Sequence, residues 1–217
     1  MNTGLRRFTE PAPTPPRAAE EHCELCAEPI GSGHGHVVNV ETRALICACR
    51  GCHLLFTAEG AAMGRFLAVP DRYLYAPSFA LSAADWDELQ IPVRMAFFFR
   101  NSVLGRTVAF YPSPGGATES ELPMETWDRI MAANPGLAGV LPDVEALLVD
   151  RRGDRSACHL VPIDACYELV GLVRLRWKGF GGGQEAWDAI DAFFDGLRGH
   201  SRPVGGGPPG DDEGRRR

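Results

Sequence analysis

Cys23-Glu-Leu-Cys26 and Cys47-Ala-Cys49-Arg-Gly-Cys52 hold five of the chain's seven cysteines. In the pattern C-x2-C-x22-C-x2-C each pair spans the two-residue gap that lets a tight turn present both sulfurs to one ion. Cys23, Cys26, Cys49 and Cys52 therefore read as the ligands of a tetrahedral metal centre. Zinc is the default ion. Iron held as in a rubredoxin uses the same four thiolates, and the run C-x-C-x2-C also suits a [2Fe–2S] cluster. Cys47 lies two residues before Cys49 on an expected strand, so both side chains should face one side, which makes Cys47 an alternative ligand.

Between the two cysteine groups, Gly31-Ser-Gly-His-Gly-His36 is rich in turn formers. Val37-Val-Asn-Val40 and Arg43-Ala-Leu-Ile46 are short β-prone runs on either side of Glu41 and Thr42. Knuckle, β-hairpin and knuckle is the order of a zinc ribbon, and residues 22–60 are too few to bury a stable core without a metal.

Residues 61–198 change pattern and predict an α+β domain. Ser82-Ala-Ala-Asp85 has the form of a helix start, and Pro92 ends that helix. Val93 to Phe99 and Arg106 to Tyr111 form a predicted hairpin, and its three consecutive phenylalanines imply a strand covered on both faces or a very apolar edge. A helix fits Pro123 to Ala133. A second hairpin, Val144 to Val149 with Ala157 to Val161, precedes a helix from Asp164, as its cap, to Trp177. That helix buries Cys166, Leu169, Val170, Val173 and Trp177, and a last helix carries Trp187, Ile190, Phe193, Phe194 and Leu197 inward before Gly199 stops it. The order ββα-ββα-α predicts an antiparallel four-stranded sheet with helices on one face. Residues 1–21 (Pro-rich) and 199–217 (Gly/Pro-rich) are expected to be disordered tails.

The formal charge is −6, and Lys178 is the only lysine among the 22 basic residues. That arginine bias points to a GC-rich coding genome. From His22 to Phe56 the acids Glu24, Glu28 and Glu41 outnumber Arg43 and Arg50, so the segment lacks the basic stripe that neutralises phosphates, and nucleic acid is not an expected partner. No run approaches a membrane span, and thiols free for metal suit a reducing compartment, so the expected location is the cytoplasm.

His22, His34, His36 and His53 surround the cysteines in sequence and read as neighbours of the site rather than ligands. Cys158 and Cys166 read as core residues. His159 reads as a structural histidine, with acid/base work as the alternative. Asp143, Glu145, Asp150, Asp154 and Asp164 are scattered acids beside turns and caps. Gly181–Gly183 lacks the Gly-Lys-Thr/Ser of a phosphate cradle and reads as a flexible inter-helix loop. No catalytic constellation stands out, which leans the reading away from an enzyme.

Several strings together resemble a known family: Cys49-Arg-Gly-Cys52-His-Leu-Leu-Phe-Thr57, Val69-Pro-Asp-Arg-Tyr73, Leu89-Gln-Ile-Pro-Val93 with Phe97-Phe-Phe-Arg-Asn-Ser102, Tyr111-Pro-Ser-Pro114 with Ala117-Thr-Glu-Ser120, and Pro162-Ile-Asp-Ala-Cys-Tyr-Glu-Leu-Val170. The chain is similar, over about residues 23–198, to an uncharacterised bacterial family encoded beside [NiFe]-hydrogenase genes in actinobacteria. The resemblance implies a genomic neighbourhood and no reaction. The expected role is a metal-binding accessory protein that docks a protein partner, such as a hydrogenase subunit or maturation factor. An iron-based electron carrier, or an enzyme with its site in the α+β domain, is the alternative.

Overall fold

The computed structural model describes residues 21–204 apart from 59, 153, 154 and 180. The tail residues 1–20 and 205–217, and Gly153-Asp154 of the second hairpin turn, lie outside the described residues.

The ribbon hairpin pairs strand β1 (Gly35–Asn39) with β2 (Ala44–Ala48). Asn39 Oδ1 accepts the N–H groups of Glu41 and Thr42, both at 3.1 Å, so a short amide replaces the missing backbone partners of the turn. The register sets His36 opposite Cys47 and Val37 opposite Ile46. A third strand, β3 (Phe66–Ala68), pairs with the other edge of β1, although it lies past residue 60, the expected end of the ribbon. Three residues are too few for alternation to be read from sequence.

The main sheet has seven strands, where four were expected. Its strands are β4 (Leu74–Ala76), β5 (Met95–Asn101), β6 (Arg106–Ser113), β7 (Gly116–Ser120), β8 (Glu145–Arg152), β9 (Arg155–Pro162) and β10 (Arg202–Pro203). The order is β10-β4-β9-β8-β5-β6-β7, antiparallel at every step except β10 beside β4. The expected hairpins form its centre. The added strands are two to five residues long, and the Ala117-Thr-Glu-Ser120 part of β7 is mostly polar, so none carries a strand signature of its own.

The helices are α1 (Arg50–Leu55), α2 (Ala83–Glu88), α3 (Met124–Ala133), α4 (Ile163–Arg176) and α5 (Gln184–His200). Ser82 and Asp85 form the expected capping box of α2. Asp164 does not cap α4; it sits within the first turn, after Pro162 at the cap position. Helix α5 passes the expected stop at exposed Gly199, where a missing side chain costs only helix propensity. It ends at Ser201, whose N–H and hydroxyl both donate to the Leu197 carbonyl.

Helices cover both faces of the sheet, not one. Met95, Phe97, Ala146, Leu148 and Val161 face α4 and α5, while Ala96, Phe98, Leu147, Val149 and Leu160 face α2 and α3. Strand alternation splits the phenylalanine run between two cores: Phe97 is paired with Leu148 and Phe98 with Leu147. Phe98 stacks on Trp127 of α3 with ring centroids 4.3 Å apart. The glycine run is built into this packing. Gly182 has φ +83°, and a Cβ there would meet the Trp177 indole at 2.9 Å.

Two buried acids have structural partners. Glu145, fully buried, accepts from Arg72 Nε at 2.7 Å and from the Leu141 N–H at 2.8 Å, tying the segment after the ribbon to β8. Asp150, also buried, pairs with Arg152 at 2.6 Å and Arg94 at 3.5 Å. His159 is different. It is fully buried on β9 between Tyr75 and Phe194, and neither ring nitrogen has a hydrogen-bond partner among the described residues. Burial, with Arg198 and His200 nearby, pulls its pKa down to about 4 from an ordinary 6.5.

The unfolded chain therefore binds a proton at His159 between pH 6.5 and 4 that the native chain refuses. Stability is full above pH 6.5 and falls by about 3 kcal/mol as the pH drops through that window. His159→Leu is expected to flatten this acid limb and to be neutral or stabilising at pH 7, measured by urea unfolding across pH. An unchanged limb would remove His159 as its cause.

Candidate metal centre

The first knuckle folds by local hydrogen bonds: the Ala27 N–H donates to the Cys23 carbonyl and the Cys23 N–H to the Glu28 carbonyl, both at 2.8 Å. Ala27 takes φ +62°, a left-handed conformation that costs a non-glycine residue about 1 kcal/mol or more. The second knuckle is the start of α1. Cys49 occupies its cap position, and its Sγ accepts the Cys52 N–H at 3.4 Å. Glu24 joins the two knuckles, since its N–H donates to the Cys47 carbonyl at 2.9 Å and its carboxylate accepts the Cys47 N–H at 2.7 Å.

These turns bring the Sγ atoms of Cys23, Cys26, Cys49 and Cys52 within 4.8 Å of one another, with Cys26 and Cys49 at 3.7 Å. A zinc ion with bonds of about 2.3 Å spaces its tetrahedral sulfurs about 3.8 Å apart. All seven cysteines are free thiols. The four-cysteine cluster can hold a metal ion.

Electrostatics make the same point. Burial pushes the Cys23 thiol up, but N–H groups of Cys49, Leu25 and Cys26 more than offset it and bring the pKa down to about 6. Cys52 is pushed up to about 12 by Cys26, then by burial and its other sulfur neighbours. One thiolate forms readily and the next is opposed by it, which is the behaviour of anions converging on a point that a dication neutralises.

Residues 22–201 match one family over most of the chain. The chain belongs to DUF5947, a family of unknown function. An uncharacterised family is what the sequence strings led us to expect. No curated protein and no solved structure matches this DUF5947 chain.

The structure separates Cys47 from Cys49. Strand β2 ends at Ala48, the chain turns into α1, and the sulfur of Cys49 joins the first pair. Cys47 stays on the strand, and its Sγ lies within 4.8 Å of ring nitrogens of His34 and His36. Sequence reasoning missed this second grouping. The signal was the hairpin register: a turn at Glu41-Thr42 sets His36 opposite Cys47, and His34 lies just before β1, its ring centroid 4.8 Å from that of His36.

The other residues have plain positions. His53 Nε2 donates to the Val69 carbonyl at 2.9 Å, and its ring lies against Gly35, where a Cβ would sit 2.8 Å away. His22 is exposed. Cys158 and Cys166 are buried in the two sheet cores, and burial holds both thiols up. Among the described residues no helix is long and apolar enough to cross a membrane.

Proposed function

We propose that the four-cysteine cluster holds a structural zinc ion and that the chain is a cytoplasmic accessory protein that docks a protein partner. The convergence of four sulfurs from two turn segments carries this reading. Among the described residues the fully buried part of the ribbon core is Cys23, Val37 and Ala48, with half-buried side chains such as Ile30, Ile46 and Phe56 around it, so an ion supplies what apolar burial does not.

Two surfaces support docking. Leu54 and Leu55 on α1 are exposed. Beside α4, an apolar pocket of about 240 Å³ is lined by Phe97, Phe99, Phe110, Val108, Ile163 and Val170 among others. A hydrogenase subunit or maturation factor is the partner class, and it rests on the resemblance to a family encoded beside [NiFe]-hydrogenase genes.

Elemental analysis with an absorption spectrum of aerobically purified protein tests the ion. Zinc and a colourless protein are expected. A red protein with iron that bleaches reversibly on reduction would replace this reading with electron transfer. Affinity capture from a native extract tests the partner, with a hydrogenase-related protein as the expected catch and its absence as the contrary result.

A further inference from the structure

We propose that His34, His36 and Cys47 form a second metal site, distinct from the four-cysteine cluster and suited to a divalent ion of the zinc class. The three donors, two imidazole nitrogens and one sulfur, lie within 4.8 Å of one another. An ion with bonds of about 2.0–2.3 Å spaces such donors about 3.3–3.8 Å apart, so binding draws them together by at most about 1.5 Å.

Both imidazoles are held through Nδ1. His34 Nδ1–H donates to the Gly31 carbonyl at 2.8 Å, and His36 Nδ1–H donates to Asp164 Oδ2 at 2.8 Å. Carbonyl and carboxylate oxygens only accept, so each ring carries its proton on Nδ1 and leaves the Nε2 lone pair free. A carboxylate behind a histidine is the recurrent support of zinc-bound imidazole. His34 Nε2 is buried and has no hydrogen-bond partner among the described residues, although the His34 side chain is 10% exposed. A buried nitrogen left unpaired costs free energy that a metal ion recovers.

The two sites belong to opposite faces of β1. Val37 points into the ribbon core with Cys23, whereas Val38 packs into the sheet core with α4. His36 shares the parity of Val38 and reaches Asp164 on α4, so this site joins the ribbon to the α+β domain.

Cys47, His36 and Asp164 also have the composition of a nucleophile, base and orienting acid. One observation favours metal. His34 has no task in a triad yet converges on the same point. Three protein ligands leave one tetrahedral position of the ion open, and His34, His36 and Asp164 line a cleft of about 660 Å³.

The test is metal content of the full chain with two independent variants. Wild type is expected to bind two ions, and Cys47→Ser and His36→Gln one each, with the four-cysteine ion retained. Apo-protein given one equivalent of Zn²⁺ and then Co²⁺ should develop a thiolate-to-cobalt charge-transfer band that Cys47→Ser lacks. Asp164→Asn, which keeps every ligand, should weaken the Co²⁺ titration about 10–100-fold. One ion in wild type, or two in both variants, overturns the site. Fast alkylation of Cys47 that depends on His36 in zinc-loaded protein also overturns it, in favour of the nucleophile. Loss of the four-cysteine ion alone from wild type would instead count against the structural zinc.

Discussion

Cys49→Ser is expected to purify without bound metal and with the ribbon strands unprotected against amide hydrogen exchange, while Cys47→Ser keeps its four-cysteine ion. The asymmetry follows from geometry. Cys49 supplies a sulfur 3.7 Å from that of Cys26 and also caps α1, so the substitution removes a ligand and weakens the turn that presents Cys52. Apparent binding free energies for structural zinc in small modules are about 10–16 kcal/mol, far more than three buried apolar side chains contribute. The His34, His36 and Cys47 grouping stands on the same hairpin, so it is lost with the ribbon. Elemental analysis and exchange read the result. Wild-type metal in Cys49→Ser together with an empty four-cysteine site in Cys47→Ser would reassign the ligand.

Phe98→Ala should destabilise the α+β domain by about 4 kcal/mol, a large share of a domain's typical 5–15 kcal/mol. Phe98 is 1% exposed and stacks on Trp127, and its methylene and ring are enclosed by β8, α2 and α3. Its neighbour Phe99 points to the other face, half-buried against Phe110, and Phe99→Ala should cost about half as much or less. Urea midpoints for the two variants decide it; equal losses would show that the two faces of β5 are not the separate cores described.

Much of this architecture was legible in the sequence. The capping box at Ser82, the hairpins around residues 93–111 and 144–161 and the apolar stripe of α4 were read because each has a local signal of its own. The short strands β3, β4, β7 and β10 were not, since their pairing is set by distant partners such as Leu160 for Leu74. At the site, spacing singled out Cys23, Cys26, Cys49 and Cys52, which the fold brings together. It left Cys47 as an alternative ligand of that same site, whereas a strand that ends one residue earlier than supposed sends neighbouring sulfurs to different groups. Asp164 was misread as a cap for a related reason: its partner, His36, is 128 residues away.

Strand β1 is five residues long, yet its two faces belong to two different bodies of the protein. Folding of the ribbon and consolidation of the sheet core are therefore thermodynamically linked through a single backbone. Whatever free energy an ion adds by ordering β1 is felt at α4, and by reciprocity anything that grips α4 more tightly raises affinity for the ion by the same factor. On the proposed function, with an ion in the ribbon and a protein partner on the α4 side, the partner would sense metal status without touching the metal.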